Sequence, residues 1–246
     1  MIEANVKKKK KVYEGKAKIL YETDKEDIII QEFKNDATAF DGAKKGTIKS
    51  KGLINNQITA HLFNVLESYH IPTHFIKLHS ENSMLIRKLT MVPLEVVMRN
   101  IATGSYVKRH KIQEGEKFEK PVLEFFLKDD AKHDPLITRE EVLAAGYATP
   151  EELRQIERYT FKINAVLRAF FGRRNLQLVD FKLEFGRTKN GKLVLADEIS
   201  PDTCRLWDLA TGEKLDKDRF RHDLGKVEEA YAEVRKRVFM ESSSNE

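Results

Sequence analysis

Between Val179 and Asp202 the chain carries charge where a buried strand would normally have none. The odd positions Val179, Phe181, Leu183 and Phe185 are apolar, and the even ones are Asp180, Lys182 and Glu184. That is the period-two pattern of a strand with one apolar face. Asn190-Gly191 is a strong hairpin signal, so residues 193–199 read as the returning antiparallel strand. With Asn190 and Gly191 as a two-residue turn, Lys189 faces Lys192, and counting outward puts Glu184 directly opposite Asp197, Cβ atoms about 5 Å apart. Carboxylates that close repel unless a cation lies between them or one is protonated. The pair therefore predicts a divalent metal, and oxygen-only ligands favour Mg²⁺, which is commonly held by one or two carboxylates plus substrate phosphates. Lys182, one pleat from Glu184, would reach a phosphate on that metal. The competing reading is a surface hairpin with solvated charges, Lys182 bridging them. Gly186 to Lys192 has the spacing of a phosphate-binding P-loop, but Leu193 stands where Ser or Thr is required and a strand follows where a helix is required.

With 246 residues, 41% hydrophobic and 34% charged, the chain suits a soluble globular protein of one large or two small domains. No apolar run approaches the roughly 20 residues of a membrane span, and the N-terminus lacks a signal peptide's apolar segment, so the cytoplasm is the expected compartment. Cys204 is the only cysteine, which excludes an internal disulfide and a thiolate zinc cluster, and it is given no role. Much of the formal charge of +5 lies in Lys7 to Lys11, read as a solvated arm. Basic residues interleaved with aromatics are missing, so anionic small molecules are the expected partners rather than nucleic acid or a membrane.

Residues 12–21 read as strand, tight turn, strand around Gly15, with Lys16 and Lys18 on one face, suited either to a polyphosphate or to guarding a solvated edge. A further strand over 27–33 leads to a polar loop through Asp36, Asp41, Gly42 and Gly46. Helical spacing over 53–69 ends at Pro72, and His61 on its stripe is read as structural. Strands over 75–78 and 84–89 precede a break at 90–93, and 94–98 resumes, which makes a hinge that could offer backbone groups to an adenine edge. Arg99 at a strand end, followed by a turn at Thr103, Gly104 and Ser105, is a plausible phosphate cradle. A short strand over 123–127 leads into a charged loop that holds Asp134. Thr138 with Glu141 and Thr149 with Pro150 and Glu152 mark two helix starts. The second helix buries Leu153, Ile156, Ile163, Val166, Leu167 and Phe170 and stops at Gly172. A last helical region over 218–239 is interrupted near Gly225, and a polar tail follows.

Five motifs in order, YEGKAK (Tyr13 to Lys18), MRNIATGS (Met98 to Ser105), FFLKDDAKHDP (Phe125 to Pro135), LVDFKLEFG (Leu178 to Gly186) and DEISPDTCRLWD (Asp197 to Asp208), resemble the SAICAR synthetase (phosphoribosylaminoimidazole-succinocarboxamide synthase) family of purine biosynthesis. The resemblance implies that ATP, L-aspartate and carboxyaminoimidazole ribonucleotide give ADP, phosphate and the succinocarboxamide. It implies an α+β fold similar to ATP-grasp and kinase-like enzymes, with an N-terminal antiparallel sheet domain (1–90), a larger mixed domain (91–246) and a homodimer. By matching position it implies that Glu184 and Asp197 hold Mg²⁺, that Lys16, Lys18, Lys128 and Lys182 neutralise the phosphates and the migrating phosphoryl group, and that backbone from Arg87 to Met91 binds adenine. Arg99, Ser105 and Arg205 would take the ribonucleotide phosphate and ribose, Asp180, Asp202 and Arg221 would complete that side, and Asp134 would orient the imidazole or its amine. The alternatives are another ATP-dependent carboxylate–amine ligase and a non-catalytic nucleotide-binding module. A protein kinase is disfavoured because no HRD-type catalytic loop is present.

Overall fold

The computed structural model describes residues 6–39 and 42–241. In chain order the elements are β1 Lys8–Glu14, β2 Lys18–Thr23, β3 Ile28–Phe33, β4 Asp36–Ala39, β5 Lys44–Thr47, α1 Lys51–Ser68, β6 Phe75–Ser80, β7 Ser83–Arg87, β8 Thr90–Met91, β9 Leu94–Ile101, α2 Gly104–His110, β10 Lys117–Leu127, β11 Leu136–Ile137, α3 Arg139–Ala144, α4 Pro150–Gly172, β12 Leu176–Arg187, β13 Leu193–Ala196, β14 Cys204–Asp208, α5 Asp218–Arg221 and α6 Val227–Phe239. The fold is α+β and its ladders are antiparallel. The first 87 residues supply a five-stranded sheet in the order β1-β2-β3-β7-β6, and the rest a larger sheet in the order β11-β10-β9-β12-β13, with β8 and β14 also paired to β12.

β12 organises the larger sheet because it changes partners partway along its length. Its first part pairs with β9 and β14, from Leu176 to Leu183. Its last residues, Glu184 to Arg187, pair with β13, and Gly186 and Arg187 pair with β8. The strand is central to the sheet and both of its faces are covered: nine of its twelve residues are buried. The apolar face meets α4, whose Leu153, Ile156, Ile163, Leu167 and Phe170 are buried as the periodicity predicts. Both predicted capping boxes are formed. Thr138 and Glu141 start α3, and Thr149 and Glu152 start α4, with Pro150 in the first turn. His61 packs between the rings of Phe170 and Phe239 and is structural.

Several expectations are corrected. Residues 8–11, expected within a solvated arm, join the expected strand residues 12–14 in β1, an edge strand laid on β2 with register shifts that twist it. The polar loop after β3 contains the β4–β5 hairpin, while Asp41 and the tail from 242 onward lie outside the described residues. Residues 104–110 form α2 rather than a simple turn. Gly172 remains within the last turn of α4, and the reversal falls at Asn175, whose φ is 55°.

The hairpin register is the most consequential correction. Thr188 N–H bonds the Lys192 carbonyl (2.9 Å) and Gly191 N–H bonds the Thr188 carbonyl (2.8 Å), with Gly191 at φ 75°. The loop therefore has three residues, Lys189 to Gly191, with glycine in the left-handed position. A two-residue I′ turn would need positive φ at Asn190 as well, and Asn190 does not have it. The extra residue shifts the pairing by one, so Glu184 lies opposite Ala196 and not Asp197.

Because the α4 capping box satisfies helix N–H groups that have no other partner, Thr149→Ala is expected to lower unfolding stability by about 1 kcal/mol. Urea titration measures that loss, and substrate affinities should be unchanged.

Candidate functional site

The polar face of β12 carries Asp180, Lys182 and Glu184 into two adjoining charge clusters. In the first, Lys182 Nζ donates to Glu184 Oε1 (2.8 Å) and to Glu95 Oε1 on β9 (3.0 Å), and lies 3.5 Å from Asp197 Oδ2. Lys128, in the loop after β10, pairs with the other Glu184 oxygen. Lys18 on β2 pairs with Asp197 and, at 2.8 Å, with Glu198. Residues far apart in sequence are thus brought together by both sheets.

Asp197 reaches this cluster through its backbone. Glu184 and Ala196 are opposite neighbours and share a face, so plain alternation would send the next side chain to the other face. Asp197 instead has φ 61°, a conformation that costs a non-glycine residue about 1 kcal/mol, and its carboxylate turns to Lys18 and Lys182. Burial alone would raise the Asp197 carboxyl, but the Lys18 and Lys182 ammonium groups outweigh it and hold it below the usual carboxylate range. Lys182 mirrors this: burial opposes its charge, while Glu184, Asp197 and Glu95 hold it well above its ordinary value. Behind them, burial pushes His74 down to about 3, so its ring is neutral.

In the second cluster, Asp180 Oδ2 accepts from Arg99 Nη1 (2.9 Å) and Arg205 Nη1 (2.8 Å). Arg99 also donates to Glu124 (2.6 Å) and to Ser105 Oγ (3.2 Å). Arg205 Nε reaches Asp218 (2.7 Å), which also binds Arg221 at 2.5 Å. Gly104 has φ 57°, and a Cβ there would stand 2.8 Å from the Arg205 guanidinium, so glycine is what lets this arginine lie against the start of α2. A third group adjoins the first. Buried Lys51 bonds Asp202 (2.7 Å), Lys217 stands 3.7 Å from the same oxygen, and Tyr231 donates to the other (2.6 Å). Ser200 links it to the first cluster by donating to Glu198 (2.5 Å) and accepting from Asp202 N–H.

Ten of the fifteen residues anticipated for a site are therefore in contact through these groups: Lys18, Lys128, Lys182, Glu184 and Asp197; Asp180, Arg99, Ser105, Arg205 and Arg221. Asp202 is attached through Ser200. Lys16 is exposed in the β1–β2 turn. The Arg87 guanidinium is bound to the Thr73 and Phe75 carbonyls, so that side chain is structural. Met91 is exposed on β8 opposite Gly186. Asp134 closes its own loop by accepting the Asp129 N–H (2.8 Å), and no hydrogen bond among the described residues joins it to the clusters. The surface-hairpin alternative is excluded: Asp180, Glu184 and Glu198 are buried.

Sequence reasoning missed Glu95, Glu124, Glu198, Asp218, Lys51 and Lys217. Glu198 and Glu95 carried a signal, each an acid beside a strand-like apolar run. Lys51 carried none, because a lysine opening a helix ordinarily reads as solvated.

The donor set of the first cluster is oxygen-only, and a lysine ammonium already lies between its two carboxylates. No three carboxylate, imidazole or thiolate groups converge on one point among the described residues. That combination fits a hard cation sharing its coordination with phosphate and water, and not an all-protein cage. The second cluster presents guanidinium forks suited to a phosphate monoester.

Asp202 is likewise held below the usual range, since burial, which raises it, is outweighed by Lys217 and Lys51. A carboxyl whose folded pKa lies below its unfolded value binds fewer protons when folded, so its stabilising effect is complete above about pH 4 and is lost as pH falls further. Asp202→Asn should therefore cost about 3 kcal/mol at pH 7 by leaving Lys51 buried without its partner. The wild-type advantage should shrink in urea titrations carried from pH 5 towards pH 3.

Comparison with known proteins identifies the family. The profile of the SAICAR synthetase family matches residues 11–238. The phosphoribosylaminoimidazole-succinocarboxamide synthase of Chlorobium chlorochromatii is 56% identical over 231 residues, covering 94% of this chain and 98% of that protein. The crystal structure of the enzyme from Ehrlichia chaffeensis superposes with a TM-score of 0.92 at 44% identity, covering 94% of this chain and 98% of that one. A SAICAR synthetase in complex with ADP gives a TM-score of 0.91 at 46% identity, covering 95% and 99%. The chain belongs to the SAICAR synthetase family.

Proposed function

We propose that the lysine cluster is the ATP end of the active site and the arginine cluster its ribonucleotide end. The reaction is the family's ATP-dependent ligation of L-aspartate to carboxyaminoimidazole ribonucleotide, giving SAICAR, ADP and phosphate in purine biosynthesis. The observation that carries the division of labour is the placing of Lys182 between Glu184 and Asp197, one pleat from Asp180 in its arginine network. A metal–phosphate pole and a phosphate-monoester pole thus share one strand.

A carboxylate is a poor acyl donor because its leaving group would be oxide. Phosphoryl transfer from ATP to the ribonucleotide carboxylate replaces oxide by phosphate, which the aspartate amine then displaces. The protein must chiefly align three anions and balance their charge. Glu184 and Asp197 would hold Mg²⁺, which would supply charge neutralisation to the nucleotide phosphates. Lys18, Lys128 and Lys182 would move from these carboxylates to phosphate oxygens, with Lys16 at the entrance. Arg99, Arg205 and Arg221 would bind the ribonucleotide phosphate, with Ser105, Asp180 and Asp202 on the sugar side. For adenine the hinge after β7 fits. Arg87 and Lys88 N–H groups are committed to the His74 and Asp27 carbonyls, which narrows the donors to residues 89–91. The ADP-bound relative supports a nucleotide site. By the same family resemblance we read the two sheets as an ATP-grasp-like or kinase-like pair of lobes divided near residue 90, in a cytoplasmic homodimer. No helix among the described residues is long and apolar enough to cross a membrane.

The deciding experiment is ADP release with each substrate omitted in turn: it should require the ribonucleotide, and release that ignores the ribonucleotide would refute the reading. Arg205→Ala should raise the KM for the ribonucleotide about ten- to a hundredfold with little change for ATP. Equal rises for both substrates would remove the assignment.

A further inference from the structure

The left-handed peptide at Asp197 turns its carboxylate towards Lys182, and two buried polar side chains with no part in the charge clusters converge on it. Gln31 lies in β3 among buried Ile28, Ile29, Ile30 and Phe33, is itself buried, and donates through Nε2 to the Asp197 carbonyl at 3.3 Å. His74 is buried too, and its ring hydrogen-bonds the Asp197 backbone, while its Nε2 has no partner among the described residues. We propose that Gln31 and His74 are positioning residues that lock the Asp197 peptide in its left-handed conformation and so aim its carboxylate at the metal end of the site. The proposal rests on the reading of Asp197 as a Mg²⁺ ligand.

The main chain around Asp197 shows why such a lock is needed. β13 ends at Ala196, so the Asp197 carbonyl leaves the ladder inside the protein and requires another donor. On one side His74 N–H bonds the Leu195 carbonyl (2.8 Å), and Leu195 N–H bonds the Pro72 carbonyl (2.9 Å). On the other, Thr59 Oγ donates to the Ile199 carbonyl (3.2 Å). The segment is clamped before and after Asp197 by other elements, and Gln31 and His74 complete the clamp at the residue that must turn. An aliphatic side chain at position 31 would suit the core equally well, and an aromatic one at 74 likewise. What only the amide and imidazole supply is donors for that one carbonyl, which is how an outer residue orients a metal ligand.

The test is the affinity for ADP by calorimetry with and without Mg²⁺, in the wild type and in Asp197→Asn, Gln31→Leu, His74→Phe and His74→Asn, with thermal unfolding run in parallel. The expected result is that Gln31→Leu and His74→Phe lose about tenfold in the Mg²⁺-dependent part of ADP affinity. Metal-free affinity should hold, and His74→Asn, which keeps a donor near the same place, should recover most of the loss. Full Mg²⁺ dependence in a folded Gln31→Leu, beside its loss in Asp197→Asn, would overturn the lock while sparing the metal assignment. Unchanged Mg²⁺ dependence in Asp197→Asn would overturn the assignment and the lock together. Should His74→Phe not fold, Gln31→Leu and His74→Asn decide: loss in the first with retention in the second supports the proposal, and loss in both counts against the His74 contact.

Discussion

The polar face of β12 is buried without being apolar, and the rest of the structure follows from keeping its charges neutral. Asp180, Lys182 and Glu184 stand on one face of a strand covered on both edges, where an unpaired ion would cost several kcal/mol. Each is matched: Asp180 by two arginines, Lys182 by three carboxylates, Glu184 by two lysines. The partners come from β9, β14 and the loops after β10 and β13, so satisfying one strand fixes where several elements must meet. Apolar residues could make the same junction at lower desolvation cost. Retaining ions there is understandable only if the charges have work with a ligand.

What was legible in the sequence was the strand, its polar face and the identity of most of the charged residues. Alternation from Val179 to Phe185 is a local signal and the strand formed, but its polar face is buried where alternation implies a half-buried strand. The capping boxes at Thr138 and Thr149 are equally local and formed as expected. The register was not legible, because Asn190-Gly191 serves a three-residue loop as readily as a two-residue one, and only the backbone of Asn190 distinguishes them. Nor were the partners: Lys51, Glu124 and Asp218 sit in segments with ordinary surface-like patterns and are buried only because remote elements cover them. The Lys7 to Lys11 run misled for the converse reason, since a lysine-rich edge strand and a free arm share the same composition.

The register error and the positive φ at Asp197 cancel in an instructive way. A count off by one placed Asp197 beside Glu184, and the real backbone does so by a left-handed residue where the strand ends. Strain of this kind persists only where surrounding bonds over-determine it, and here carbonyls on both sides of Asp197 are held by Pro72 to His74 and by Thr59. A flat continuation of β13 would be easier on the backbone, but it would leave Lys18 and Lys182 facing Glu184 without the second acid.

Every cation of the two clusters is paired with one of the protein's own carboxylates, so binding would be an exchange of partners and not a simple gain of contacts. A phosphate that takes Lys182 from Glu184, or Arg205 from Asp180, leaves an acid behind. That acid must find another cation, a hydroxyl or a proton. On the proposed assignment Mg²⁺ would satisfy that acid at the lysine end, and the ribose hydroxyls would at the arginine end, since they donate to carboxylates. The coupling would make each cluster selective for a ligand that brings both an anion and a compensating donor: on the proposed assignment, metal-bound nucleotide at one pole and a phosphorylated sugar at the other. Inorganic phosphate alone would leave Asp180 unsatisfied.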